Sequence, residues 1–505
     1  MTMVATSVVS LPPRAERHRA VPARLLWIEL RRNVMPWLLP IIAVVFWLDS
    51  YRTTLGQMPL WSSQTAITIG QGHPLIDFGP FVTGAAAWMG SRDGRRGTTD
   101  LVSVTARSRW AGQLVTWLAT TAWALAGYVV LVGALYAVIA DRVSWGRPPW
   151  WPVIAMGAGV LLFSTVGYVA GAVFPGRFVA PVAAFGAFVL LVMSSHAGFS
   201  DRVGAWSILP NSGQGGLGFG SGIFYPFLAD LSLARLMALV GLSTAALGVL
   251  GLRSSVGGLR RALLAASVTL AGLAVAGTGI GLLGTARVEA HGVVIPLLDG
   301  GASDGAISYT PVCSAGALPV CLHPAYRSYL PGLVADLDPV LHEVDGLPGA
   351  PRRVAQVAAS YGGPSQYSTV NVTASLPAFH LSLGNLDLRP AESARLEGQL
   401  RFLFLDAFVG AGLRPRGGTP AQQAVLAALL SRVGVSFARQ PGLLAPSSSV
   451  TIGGNGGLPG LPQKGSPIYA IAERFASQPV AAQRAWLTSH LAALRSGDLT
   501  VDQLP

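Results

Sequence analysis

Two cysteines and several histidines carry the most distinctive chemistry in the C-terminal part of the chain. Cys313 and Cys321 are the only cysteines and stand eight positions apart. An oxidising compartment would favour a disulfide between them, and two unpaired thiols are the alternative. Together with His323 they are too few for a closed zinc site, which normally takes four ligands. The other histidines considered, His342, His380 and His490, lack ligand spacing, so we expect no metal site.

Motifs for catalysis or nucleotide binding are incomplete in this chain. His342-Glu343 begins the zinc-protease pattern His-Glu-x-x-His, but Gly346 occupies the place of the second histidine. The only lysine, Lys464, lacks the preceding glycine of a phosphate-binding P-loop. The glycine-rich run 215–222 follows no predicted strand, which favours a flexible loop over a dinucleotide site. No Gly-x-Ser-x-Gly nucleophile elbow occurs. We therefore expect no catalytic or cofactor-binding residue and no ATP hydrolysis by this chain.

Three ionisable residues lie within or beside apolar segments. They are functional candidates, because charges inside a bilayer are costly. Asp77 and Pro80 interrupt one apolar stretch. Asp77 would then lie either in a re-entrant turn or at the membrane interface as a solvated carboxylate. Asp230 and Arg235 are close in sequence, so they could pair with each other or face the lipid headgroups.

The elements that must position these residues are apolar. Hydrophobic residues make up 51% of the 505 residues and charged residues 11%, whereas soluble domains carry about 25% charged residues. With a mean hydropathy of +0.50, this composition predicts an α-helical polytopic membrane protein. A spanning helix needs roughly 20 apolar residues, so we expect six or seven transmembrane helices, the second being the weakest. The candidate spans are residues 34–50, 74–90, 111–139, 150–173, 177–196, 229–252 and 261–284.

The net charge of +12 lies mostly beside these apolar segments. Alternate loops are rich in arginine, as on the cytoplasmic side of a membrane, and no basic and aromatic platform for nucleic acid accompanies them. We therefore place residues 1–33, an arm with an amphipathic surface helix, in the cytoplasm. Residues 34–284 would form the membrane domain and residues 285–505 an extracytoplasmic domain. The loop arginines are Arg92, Arg95, Arg96, Arg107, Arg109, Arg177, Arg253, Arg260 and Arg261.

Residues 285–505 have the composition of a soluble domain, and their periodicity is mixed. Residues 366–388 alternate polar and apolar side chains, which indicates strands. Residues 441–467 are rich in Gly, Pro and Ser, which indicates a long loop. We therefore expect a small α+β domain. Its predicted helices are 391–411, 420–434 and 480–496.

The loop between the second and third candidate spans contains a possible docking helix. Gly97 can end one helix, and a threonine can cap the next with Asp100 in its first turn. A helix from 99 to 105 would present an apolar face that can enter a groove of a soluble partner. An ordinary basic loop that anchors the topology is the alternative. The residues concerned are Gly97, Thr98, Thr99, Asp100, Leu101, Val102, Val104 and Arg109.

This run resembles the first cytoplasmic loop of permease subunits of ABC-2-type ATP-binding cassette transporters. That loop carries Gly-Thr, an acidic residue, an apolar run, Thr/Ser-Pro and an Arg, and here Ala106 replaces the proline. The resemblance covers residues 20–252, and the remainder looks like an extension of actinobacterial permeases, most recognisable at 320–326. It implies that residues 94–109 form a coupling helix for a separate ATPase subunit. The implied docking residues are Gly97, Thr98, Asp100, Leu101, Val104 and Arg109.

The resemblance also implies the permease of an exporter in a bacterial plasma membrane. The spanning chains would form a homodimer or heterodimer within the lipid bilayer. ATP and Mg²⁺ would bind in the partner ATPase and not in this chain. Two alternatives of other classes stay open, a membrane-anchored extracytoplasmic hydrolase and a sensor or assembly scaffold. The hydrolase would act without an ATPase, and a scaffold would need no docking helix.

Overall fold

A bundle of long apolar helices is followed by a mixed β-sheet with helices of its own in this computed structural model. The residues that the structure describes are 14–53, 73–97, 108–141, 145–148, 150–196, 208–210, 224, 228–254, 258–289, 292–298, 306–316, 318–357, 370–375, 378–383, 393–410, 418–435, 462 and 465–505.

Within the described part of the chain, a helix occupies each of the seven apolar segments. The N-terminal helix α1 (Arg14–Arg31) precedes them, and a short helix, α4 (Arg92–Arg95), lies in the first loop. The N-terminal arm therefore contains a helix, as expected, and its location on a membrane surface stays a prediction. The helices of the bundle are α2 (Met35–Thr53), α3 (His73–Gly90), α5 (Arg109–Ala140), α6 (Trp150–Val173), α7 (Val179–His196), α8 (Asp230–Ser254) and α9 (Leu259–Gly284).

Four of the described helices, α5, α6, α8 and α9, are long and apolar enough to cross a membrane. A fifth candidate arises if α1 and α2, which meet at a bend of 54°, count as one broken span. The structure thus contains four or five candidate spans rather than six or seven. Asp77 and Pro80 lower the apolar content of α3, and the apolar stretch Val179–Ser194 of α7 is short.

The outer surface of the bundle is largely apolar. Leu259 on α9 is 78% exposed, and Val130 on α5 and Leu270 on α9 are each 67% exposed. Soluble monomers rarely expose contiguous apolar patches larger than a few hundred Å². These surfaces are therefore compatible with a protein surrounded by lipid.

Asn33 determines the bend between α1 and α2. Its Oδ1 accepts a hydrogen bond from the Met35 N–H at 3.0 Å and so caps α2, while its Nδ2 donates to Thr120 Oγ1 at 2.8 Å. Trp123 Nε1 donates to the Leu30 carbonyl at 3.0 Å, near the end of α1. These bonds hold α1 against α5 instead of letting it continue straight into α2.

Glycines let two pairs of helices approach closely. A Cβ atom at Gly171 would stand 2.1 Å from the carbonyl oxygen of Ala87, and Gly167 faces α3 in the same way one turn earlier. A Cβ atom at Gly241 would stand 2.3 Å from the Ala276 nitrogen, so α8 and α9 are also in backbone contact. Small residues at these crossings therefore allow close helix packing.

The C-terminal region contains a two-stranded hairpin and a five-stranded sheet in the order β3-β4-β5-β7-β6. The central pairs β4–β5 and β5–β7 are parallel, and the outer pairs β3–β4 and β6–β7 are antiparallel. The strands predicted at 366–388 correspond to β6 and β7. The strands are β1 (Arg287–Glu289), β2 (Gly292–Val294), β3 (Val312–Cys313), β4 (Val320–Leu322), β5 (Arg353–Gln356), β6 (Val370–Ser375) and β7 (Ala378–Leu383).

Five α-helices accompany the sheet in the described residues. Helix α10 connects the parallel strands β4 and β5, as a parallel crossover requires. The three helices expected from periodicity correspond to α11, α12 and α14. Most of the loop predicted at 441–467 lies outside the described residues. The helices are α10 (Leu330–Val344), α11 (Ser393–Val409), α12 (Pro420–Arg432), α13 (Pro467–Ala476) and α14 (Val480–Ser496).

Candidate functional site

An ion pair joins the first loop to the N-terminal helix. Arg92 Nη1 and Nη2 donate to the two carboxylate oxygens of Glu29 at 2.8 and 2.9 Å. The hydrogen bond to Glu29 raises the pKa of the Arg92 guanidinium above its ordinary value. A two-point, half-buried pair is stronger and better defined in geometry than an exposed ion pair. Helices α1 and α4 are therefore held together.

The same loop packs on the turn after α6. The Arg95 guanidinium lies 3.4 Å from the centroid of the Trp88 ring and donates to the Trp88 carbonyl at 2.8 Å. A Cβ atom at Gly94 would stand 2.3 Å from the Cβ of Pro175, which follows α6. Helix α1, the first loop and the α6–α7 turn thus meet at one end of the bundle.

The beginning of α5 and the end of α8 belong to this end as well. Trp110 Nε1 donates to the Leu247 carbonyl at 3.2 Å, and Ser254 Oγ donates to Gln113 Oε1 at 2.8 Å. The loops that carry the arginines are therefore gathered at one end of the bundle.

Two of the predicted docking residues lie in described parts of the chain. Gly97 has a left-handed backbone, at φ +66°, and ends the turn after α4 at an exposed position. Arg109 is the exposed first residue of α5, which Ser108 caps by accepting a hydrogen bond from the Ala111 N–H at 3.2 Å. The coupling helix itself stays a prediction. Thr98, Asp100, Leu101 and Val104 lie outside the described residues.

Asp77 lies inside α3, about one turn after its first residue. Because α3 is continuous from His73 to Gly90 and Asp77 is only 7% exposed, both sequence-based interpretations are wrong: it is neither in a re-entrant turn nor a solvated carboxylate. The side chain lines a cleft of about 560 Å³ between α2, α3 and α7. The rest of the lining is apolar and includes Leu38, Phe81, Phe185 and Phe188.

Asp230 ties the bundle to the C-terminal region. Its Oδ2 accepts a hydrogen bond from the Ile295 N–H at 3.1 Å, which connects the start of α8 to the β1–β2 hairpin. Asp230 is 9% exposed and Arg235 5% exposed, so these side chains do not face lipid headgroups. Asp230 therefore has a structural role that the sequence pattern did not indicate.

Cys313 and Cys321 stand opposite each other in the β3–β4 pair. Their sulfur atoms are 2.07 Å apart, at disulfide distance, so the expected pairing is present.

His323 begins a 3-10 turn, Pro324–Tyr329, directly after β4. Its Nδ1 accepts a hydrogen bond from the Ala325 N–H at 3.1 Å, and its backbone N–H donates to Gln356 Oε1 at 2.7 Å. Burial lowers the pKa of the imidazole to about 4, so the ring is neutral at pH 7. His323 is thus a buried capping residue.

Three aromatic rings surround His323, and two of them come from connections within the bundle. Its ring centroid lies 5.0 Å from that of Trp145, 5.5 Å from Phe224 and 4.4 Å from Tyr309. The Ile307 N–H also donates to the Phe224 carbonyl at 2.7 Å. This cluster fastens the sheet to the α5–α6 and α7–α8 connections. Sequence reasoning missed it because its members come from four separated segments.

Burial raises the pKa of two carboxyl groups on the C-terminal helices. Arg432 Nη1 lies 2.8 Å from Glu343 Oε1, and burial nevertheless raises the pKa of Glu343. Burial raises the pKa of Asp406 to about 7, and its Oδ1 has no hydrogen-bond partner among the described residues. Within the described ranges, no three His, Cys, Asp or Glu side chains are grouped to hold a metal ion.

Comparison of the chain with protein-family models, with curated proteins and with solved structures finds no match. Its function must therefore be inferred from the sequence pattern and from these contacts.

Proposed function

We propose that this chain is the membrane-spanning permease subunit of an ABC-2-type transporter that works as an exporter. A separate ATPase subunit binds ATP and Mg²⁺ and docks on residues 94–109. A second permease chain, identical or related, completes the transporter in the bilayer. The order of residue types from Gly97 to Arg109 supports this proposal, as does the position of the loop among the gathered arginines.

The Arg92–Glu29 ion pair is the observation that carries the proposal. It connects the segment leading into residues 94–109 with α1. Helix α1 is in turn bonded to α5 through Trp123, and the junction to α2 is bonded to α5 through Asn33. A force applied to the loop by a bound subunit would therefore reach α1, α2 and α5. A loop that only anchored the topology would need no such connections.

The proposed topology has seven spans, with the N-terminus in the cytoplasm of a bacterial cell and residues 285–505 outside. Helix α3 counts as a span because most of its side chains are buried by neighbouring helices and Asp77 lies in a cleft between helices, not on the outer surface of the bundle. The disulfide-distance pair Cys313–Cys321 agrees with an oxidising exterior.

Co-purification of the tagged chain from its native membranes in mild detergent tests the proposal. We expect a stoichiometric ATPase subunit and vanadate-sensitive ATP hydrolysis. The double variant Leu101→Asp with Val104→Asp should insert normally but lose the ATPase, because charges would replace the apolar docking face. The matched control is Leu297→Asp with Leu298→Asp, an exposed apolar pair beyond β2, which should retain the ATPase.

Retention of the ATPase by the Leu101 and Val104 double variant would remove the docking assignment. A chain that purifies alone, even after cross-linking, would refute the permease proposal as a whole. Turnover of a substrate by that isolated chain would instead support the membrane-anchored hydrolase. A sensor or scaffold predicts neither the ATPase nor turnover.

A further inference from the structure

We propose that the cleft around Asp77 binds a cationic amphiphile, meaning an apolar body that carries an ammonium group. The cleft is open on one side and has a volume of about 560 Å³, within the range of about 300–1,000 Å³ that small-molecule sites occupy. It lies between α2, α3 and α7. The inference deepens the proposed transport function by naming a class of ligand, but binding can be measured on the chain without the ATPase.

The walls of the cleft suit an apolar body that arrives through the bilayer. Leu38 of α2, Phe81 of α3 and the phenylalanines of α7 contribute to the lining. Phe185 is 68% exposed and Phe188 45% exposed, so this wall reaches the outer surface of the bundle. A molecule dissolved in lipid can therefore enter from the side without crossing water.

Asp77 gives the cleft an acidic group with which a cation can pair. Asp77 is the only ionisable residue among the described residues that line it, and it is 7% exposed. A carboxylate attracts an ammonium far more strongly in such low-dielectric surroundings than in water. An anionic amphiphile would instead place two like charges together in an apolar site.

A proline changes the backbone hydrogen bonding next to Asp77. Pro80 has no N–H, so the carbonyl of Ile76, four residues earlier in α3, lacks its usual helical donor. Ile76 and Asp77 both line the cleft. A carboxylate accepts N–H bonds, and a protonated primary amine supplies three such donors.

Binding of dodecylamine to the full chain in nanodiscs of zwitterionic lipid tests the proposal, with dodecanol as the neutral counterpart. We expect saturable dodecylamine binding that Asp77→Asn weakens by about tenfold or more, because a charge-assisted contact is lost. Dodecanol binding should not change in this variant. Asp49→Asn on the neighbouring α2 is the matched control, since Asp49 does not line the cleft, and it should leave both affinities unchanged.

Ala184→Phe keeps Asp77 and fills the cleft from α7, so it decides the question if Asp77→Asn does not fold. It should weaken the binding of both probes.

Equal dodecylamine affinity in the wild type and in Asp77→Asn would overturn the proposal. Equal affinity for dodecylamine and dodecanol would also overturn it, because the cleft would then hold lipid chains. Cross-links between α7 helices of two copies, with no saturable binding, would assign the cleft to a dimer interface instead. None of these results depends on whether an ATPase co-purifies.

Discussion

Replacement of Gly171 by alanine tests whether α3 and α6 cross with their backbones in contact. The added Cβ would stand 2.1 Å from the Ala87 carbonyl oxygen, whereas ordinary contacts begin at 3.4 Å. The helices must therefore separate by about 1 Å, and a gap of about 0.5–1 Å forfeits a quarter to a half of each dispersion contact along the crossing. Overpacking of this kind costs about 1–3 kcal/mol, and removing a helical glycine recovers about 0.5–1 kcal/mol. We expect a net loss of up to about 2.5 kcal/mol in the free energy of unfolding, and a loss of about 1–3 kcal/mol relative to a glycine-to-alanine change that causes no overlap.

Gly133→Ala in α5 is the matched control for this substitution. A Cβ at that position would meet nothing within 4 Å, so the variant should be neutral or up to about 1 kcal/mol more stable. Tryptophan fluorescence of the full chain during titration with SDS in mixed micelles measures both unfolding free energies. If Gly171→Ala were as stable as Gly133→Ala, the close crossing of α3 and α6 would be refuted.

Three further predictions concern the C-terminal region. Neutral His323 stabilises the fold fully above pH 6.5, and this contribution is lost as the pH falls toward about 4. Asparagine can still cap the turn but does not titrate. His323→Asn should therefore reduce the drop in melting temperature between pH 6.5 and pH 4. The pKa of Asp406 is raised from 3.8 to about 7, so its destabilising charge grows as the pH rises through that range. Asp406→Asn should therefore raise the melting temperature at pH 8 but not at pH 4, and the exposed control Asp338→Asn should do neither. Cys313→Ser should lower the free energy of unfolding by about 2–3 kcal/mol, because the short loop that the disulfide to Cys321 closes becomes open. Reduction of the disulfide should bring the wild type to the same melting temperature as this variant.

Periodicity and composition found the long apolar helices, β6, β7 and three helices of the C-terminal region, but not the other strands, α10 or α13. Apolar runs long enough for a helix did become helices, and alternation predicted β6 and β7, because both patterns reflect local burial. The number of spans was less predictable. Asp77 and Pro80 make α3 too polar by composition, yet contacts with other helices bury most of its side chains.

The interpretation of Asp77 failed for the same reason. Sequence alone offered a re-entrant turn or a solvated carboxylate at the interface, since the continuity of α3 and the neighbouring α2 and α7 were unknown. The role of Asp230 was missed because its partner, the Ile295 N–H, is 65 residues away.

The sequence by itself determined that long apolar helices form and that a region of strands and helices follows them. Hydrophobic patterning decides these features, because it acts between near neighbours along the chain. Only the tertiary structure decided which distant groups meet. Glu29 and Arg92 are 63 residues apart, and the rings around His323 come from separate connections. Such contacts depend on how whole helices and strands pack, which no local pattern of residues specifies.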